Sequence, residues 1–153
     1  MAMDSEIDFG ILLNVGFGVF KTELHKVMAQ KGFDDLGSSF GYVFRMLRPQ
    51  PLSLKQVAAN LGITAQGALK VINDMEAKGY VERHDEPGDG RMKRLALTRR
   101  ALAAMAEAQR FHMQFELDLA KKFGEKQVAG MRRILEALHA DASAAGMAQV
   151  RPF

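Results

Sequence analysis

Apolar positions in the first fifth of the chain recur at helical spacing. Leu12, Val15, Val19, Leu24, Val27 and Met28 follow one another mostly at three- and four-residue steps, which predicts a long helix over residues 7–31. Phe9, Leu13, Phe17 and Phe20 add a second apolar face to it. A helix that is apolar on two sides needs cover on two sides, from its own core and from a partner. Gly32 is placed to stop it. A second helix is predicted over Leu36–Arg48, closed by Pro49 and Pro51, which cannot continue it.

The pattern then shortens. Ser53-Leu54-Lys55-Gln56 has the form of a capping box, in which the serine hydroxyl accepts from an orphan amide and the glutamine reaches back. Val57, Ala58 and Leu61 give the inner face of a brief helix, and Gly62 ends it. Thr64 is set to cap a further helix, Ala65–Lys78, whose inner stripe is Ala68, Val71, Ile72 and Met75. Gly79 stops that helix. Tyr80–His84 and Lys93–Thr98 read as two short strands, with Asp85–Met92 as the turn between them.

Helical spacing returns from Arg99 to Phe123, on lines that include Leu102, Met105, Leu119 and Ala101, Ala104, Phe111. Gly124 breaks it. In the last helix, Val128, Met131, Leu135, Leu138 and Ala142 alternate by three and four like a short coiled-coil seam. The tail from residue 144 to 153 has no such pattern and is expected to fray. The fold class is therefore mainly α with a small β-hairpin.

Composition narrows the function. The chain has 153 residues, enough for one domain with its own core. Cysteine is absent, which excludes disulfides, thiol nucleophiles and zinc–thiolate sites. His25, His84, His112 and His139 are scattered, with no pair at metal-ligand spacing, so no metal and no cofactor is expected. Motifs of the GxSxG, P-loop, Rossmann and HExxH types are missing, so an enzyme is not the expected class. The opening residues are acidic, unlike a signal peptide, and the apolar stretch from Phe9 to Phe20 is too short to span a bilayer. A soluble, cytoplasmic protein is expected.

Net charge is only +3, but its distribution is uneven. Arg91, Lys93, Arg94, Arg99 and Arg100 lie within ten residues that hold no acid. Beside two short helices joined by a tight turn, such a run points to phosphate contact rather than to an idle solvated face. The helix pair itself is the form that enters a DNA groove.

The order helix, helix, helix-turn-helix, wing, long helix, terminal helix resembles the MarR family of bacterial transcription regulators. The likeness is carried by Val57-Ala58 and Leu61-Gly62, by the run Met75 to Arg83, by Asp89-Gly90-Arg91, and by Leu97-Thr98. The resemblance implies one MarR-like domain over residues 1–153. In it, residues 52–98 form the winged helix-turn-helix, 99–123 connect, and 7–35 with 124–145 dimerise. It also implies a homodimer that grips double-stranded DNA at a pseudo-palindromic operator as a repressor. Two departures stand out. Ala65-Gln66-Gly67-Ala68-Leu69-Lys70 is poor in polar side chains where the family commonly carries Ser, Thr and Arg, and Ala101 stands where the family usually has Gly. The apolar recognition helix keeps a second class open, a winged-helix module that binds protein instead of DNA.

Within this frame the expected DNA-contacting residues are Thr64, Gln66, Gly67, Lys70 and Asn73 on the recognition helix, with Arg91, Lys93 and Arg94 on the wing. Glutamine suits adenine N6 and N7, and lysine suits guanine or a phosphate. A guanidinium at a hairpin tip suits a minor groove, which makes Arg91 the leading wing residue. Asp89 is expected to pair with an arginine and shape the wing. A small apolar or aromatic effector is the further expectation. Its site would be lined by Phe17, Phe20, Phe40, Phe44, Phe111, His112 and Phe115, with Tyr42 and Arg45 as further polar groups; the plain alternative is hydrophobic core.

Overall fold

The computed structural model describes residues 7–146; residues 147–153 of the tail expected to fray lie outside them. The order is α1 (Phe9–Gln30), α2 (Phe40–Leu47), α3 (Leu54–Leu61), α4 (Ala65–Ala77), β1 (Val81–Glu86), β2 (Asp89–Leu97), α5 (Arg99–Phe123) and α6 (Glu125–Ala144). The chain divides into two units, one ending at Leu36 and one starting at Gly37.

The first unit is essentially α1. It closes where the sequence places the stop: Gly32 takes φ +89°, and the Phe33 amide donates to the Met28 carbonyl at 2.9 Å. Its first half exposes Phe9, Ile11, Leu12, Leu13, Val15, Phe17 and Val19, whereas Met28 near its end is buried.

The second unit holds the helix-turn-helix and wing. Its core collects the inner faces of α2, α3 and α4, with Tyr80, Val81 and Leu95 beneath them. Phe40, Phe44 and Tyr80 form one aromatic cluster, with ring centroids 5.6–6.4 Å apart. The Arg100 guanidinium lies 4.7 Å over the Tyr80 ring, which seats the start of α5 on this cluster.

α2 begins at Phe40, four residues later than the pattern predicts. The intervening Gly37-Ser38-Ser39 lack helix propensity. A Cβ on Gly37 would lie 2.7 Å from the Phe40 ring, so the ring occupies the space a side chain would need. The hairpin is longer than expected. Strand pairing runs from Val81↔Leu97 through Asp85↔Lys93 to Glu86↔Asp89, which leaves Pro87-Gly88 as the turn, with an irregularity after Asp85. Cross-strand ion pairs, Lys93 with Asp85 and Arg94 with Glu86, extend the ladder into residues that by composition read as loop. Leu52 adds one antiparallel bridge to Leu95, with N–O distances of 3.2 and 2.7 Å, so the sheet has a short third member.

α5 and α6 meet at Gly124, at φ +102°. Arg132 of α6 donates to Glu116 of α5 at 2.7 Å and to Glu136 at 3.1 Å, fastening the two helices together. α6 buries Val128 but leaves Met131, Ile134, Leu135 and Leu138 exposed. Among the described residues no helix is long and apolar enough to cross a membrane, and no cluster of three potential metal ligands occurs.

Candidate nucleic-acid interface

The tight turn between α3 and α4 is built from backbone rules. At the head of α3 the capping box is complete: Ser53 Oγ accepts from the Gln56 amide at 3.2 Å, and Gln56 Oε1 accepts from the Ser53 amide at 2.9 Å. At its foot Gly62 adopts the left-handed conformation at φ +66°, which turns the chain at once. Thr64 then caps α4, its hydroxyl accepting from the Gly67 amide at 3.0 Å. Gly67 follows from this geometry in part. A Cβ there would sit 3.2 Å from Thr64 Oγ1.

On α4, Ala68, Ile72 and Met75 are wholly buried and fix the rotation of the helix, while Val71, expected in the same stripe, is half-buried at its margin. Gln66, Lys70 and Asn73, which repeat by four and three on the other side, are exposed. So the helix offers one amide and one ammonium without described partners, plus a second amide that is engaged. Arg83 of β1 donates to Asn73 Oδ1 at 2.7 Å and to Glu76 at 2.9 Å. That pair of bonds ties the recognition helix to the wing. Sequence reasoning did not assign Arg83 a role. The signal available was an arginine seven residues beyond a glutamate on a helix that leads directly into a strand.

The wing carries Glu82, Asp85, Glu86 and Asp89 against Arg83, Arg91, Lys93 and Arg94, so its formal charges balance if His84 is neutral. Most of its cations are held. Lys93 is paired with Asp85, and this hydrogen bond keeps the Asp85 carboxyl below the usual carboxylate range. Arg94 pairs with Glu86, including a 3.0 Å bond to Oε1, and also donates to the Pro51 carbonyl at 3.2 Å. Two of the five cations in the basic run, Lys93 and Arg94, are thus neutralised across the hairpin by acids of the facing strand. Arg91 differs: among the described residues it is the wing cation with no carboxylate partner. Asp89 shapes the tip by accepting from the Arg91 backbone amide at 3.0 Å, rather than by pairing with a guanidinium.

The aromatic residues expected to line a ligand site fall in both units. Phe40 and Phe44 are buried in the core against Tyr80. Phe111 and Phe115 make a second ring pair, 5.6 Å between centroids. His112 sits 6.2 Å from the Phe111 ring, and desolvation holds its imidazole below the ordinary value. Phe17 and Phe20 belong to α1, in the other unit. Tyr42 is half-buried and Arg45 exposed on α2.

Comparison with known proteins gives this arrangement a setting. The MarR-family model matches residues 41–92, the stretch from α2 to the wing. No curated protein sequence matches the chain. Several solved structures share its fold. FabT of Streptococcus pneumoniae, in complex with DNA, is 21% identical with a TM-score of 0.67, over 90% of this chain and 99% of that one. A MarR-family protein of Mycobacterium tuberculosis, in complex with salicylic acid, is 24% identical with a TM-score of 0.62, over 89% and 99%. A mutant MarR from E. coli is 18% identical with a TM-score of 0.65, over 88% and 98%. The helix-turn-helix and wing thus match the MarR-family model, and the helices on either side follow the fold that these regulators share.

Proposed function

We propose that this chain is a sequence-specific, double-stranded-DNA-binding transcription regulator that acts as a cytoplasmic homodimer and represses by occupying a pseudo-palindromic operator. The observation that carries the reading is the pairing of two surfaces. The outer face of α4 presents Gln66 and Lys70, and the wing tip presents Arg91 without a carboxylate partner. A helix in the major groove and a hairpin cation at the neighbouring minor groove or backbone is a coherent way to hold a duplex. The complex of FabT with DNA supports it by likeness of fold. The dimer accounts for the apolar faces that α1 and α6 each leave uncovered.

Selection of bound duplexes from a random library tests the reading. A symmetric dimer recovers an inverted repeat with half-sites about one helical turn, roughly 34–36 Å, apart. If no duplex is enriched and none binds even at low salt, the domain is a protein-binding winged helix instead.

The repressor also responds, in this reading, to a small apolar or aromatic effector. A family member solved with salicylic acid makes aromatic acids the first class to titrate. The effector must bind free protein and operator complex with different affinity, by about 5- to 150-fold for ordinary coupling. Equal affinity in both states removes the effector from the proposal.

A further inference from the structure

One apolar side chain on the outward surface of α4 stands outside the core. Leu69 is 37% exposed, although the core contacts of this helix are already supplied by Ala68, Ile72 and Met75. It lies three residues after Gln66 and four before Asn73, the spacing that sets side chains side by side on a helix surface. Ala65, four residues before it, is exposed and too small to shield it. The result is an aliphatic group placed between two amides on the surface proposed to read bases.

What such a group can recognise in a major groove is narrow. It neither donates nor accepts a hydrogen bond. Guanine, adenine and cytosine present only nitrogen and oxygen groups there; thymine alone presents an apolar group, its C5 methyl. A leucine laid against any other base edge would bury a polar atom without a partner, which costs free energy. Leu69 is also well placed to be specific, because a helix whose inner stripe is wholly buried holds its outer side chains at fixed rotation.

We infer that Leu69 packs against the C5 methyl of a thymine in each half-site. The operator then carries a T·A pair beside the pair read by Gln66, and part of the base selection by this polar-poor helix is hydrophobic. The inference rests on the proposed DNA-reading role of α4 and deepens it. It also gives a purpose to the feature in which the helix departs most from its relatives, its shortage of hydrogen-bonding side chains.

The test uses the wild-type protein and the operator recovered from a random library. Each thymine is replaced in turn, symmetrically in both half-sites, by deoxyuridine, which pairs identically and lacks only the methyl. The expected result is one position per half-site where the replacement weakens binding, by about three- to fivefold for each methyl lost. At that position Leu69→Ala binds thymine and uracil duplexes alike, while Leu69→Met keeps the preference. Circular dichroism at the assay temperature shows both variants fully folded, so a change in binding is not a loss of fold. If the wild type is indifferent to uracil at every position, or if Leu69→Ala retains the full uracil penalty, the inference is overturned while DNA reading stands. If no operator is recovered at all, the DNA-reading function itself fails and the inference falls with it.

Discussion

At the residue scale the candidate interface separates cations that are held from cations that are free. Among the described residues Arg91 has no carboxylate partner, so Arg91→Ala should remove the proposed DNA contact without breaking an ion pair in the hairpin. Binding should weaken for operator and scrambled duplex alike, with the slope of log K against log salt falling by about 0.9. Lys93 is in the opposite position, tied to Asp85. Asp85→Asn releases it and leaves the wing one charge more positive. Nonspecific affinity should rise and the salt slope should steepen by about the same amount, measured by fluorescence anisotropy across a salt series. The Asp85 carboxyl is depressed by Lys93, so the ion pair persists well into acid. A lowered carboxylate pKa contributes stability above the ordinary range near about pH 4, and loses it as pH falls through the folded value. The wing should therefore loosen only at acid pH, below the ordinary carboxylate range. Gln66→Ala and Lys70→Ala should act differently from Arg91→Ala, each costing about 1–3 kcal/mol on the operator and relaxing base preference, because both lie on the reading helix.

At the element scale two hydrogen bonds matter more than their number suggests. Arg83 bridges Asn73 and Glu76, so side-chain bonds link α4 to the wing. Arg83→Ala should leave thermal stability nearly unchanged, since exposed pairs contribute about 0–1 kcal/mol. It should lower operator affinity more than it lowers nonspecific affinity, because only the operator needs helix and wing in register. Equal losses on both duplexes would show that the bridge is merely structural. The same element marks the limits of the sequence. The capping box at Ser53, the glycine at 62, the Thr64 cap and the inner stripe of α4 are local rules, and each is visible in a few consecutive residues. The length of the hairpin was not, because Asp85, Glu86 and Asp89 have poor strand propensity taken singly. Asp85 and Glu86 become strand residues through their ion pairs to Lys93 and Arg94, and Asp89 through its pairing opposite Glu86. For the same reason the basic run promised more free charge than the wing has. Run-counting sees cations in one strand and is blind to acids facing them from the next. The start of α2 was misplaced because the Gly37-Ser38-Ser39 break depends on the Phe40 ring filling the space beside Gly37.

At the scale of the whole molecule, the pattern that opened the sequence remains unsatisfied within one chain. α1 leaves Phe9 75% exposed and six further apolar side chains about half exposed, and α6 leaves Met131, Ile134, Leu135 and Leu138 in the same condition. Soluble monomers rarely present contiguous apolar patches beyond a few hundred Å², so each helix requires cover. In the proposed homodimer a second copy would provide it, with the symmetry that an inverted repeat demands. Sedimentation at micromolar concentration should give a dimer. Leu135→Asp with Leu138→Asp places two charges on the exposed seam of α6, where neither side chain contributes to the monomer core. The variant should sediment as a monomer with its helical content intact by circular dichroism. Its operator affinity should fall steeply, because two linked half-site contacts gain about 10²–10⁴ over one when the geometry allows both. Its affinity for a single half-site should be unchanged, since the lobe that carries α4 and the wing is untouched. A variant that remains dimeric and binds the full operator as the wild type does would move the subunit interface away from α6. Dissociation with undiminished operator binding would break the link between symmetry of the protein and symmetry of the site.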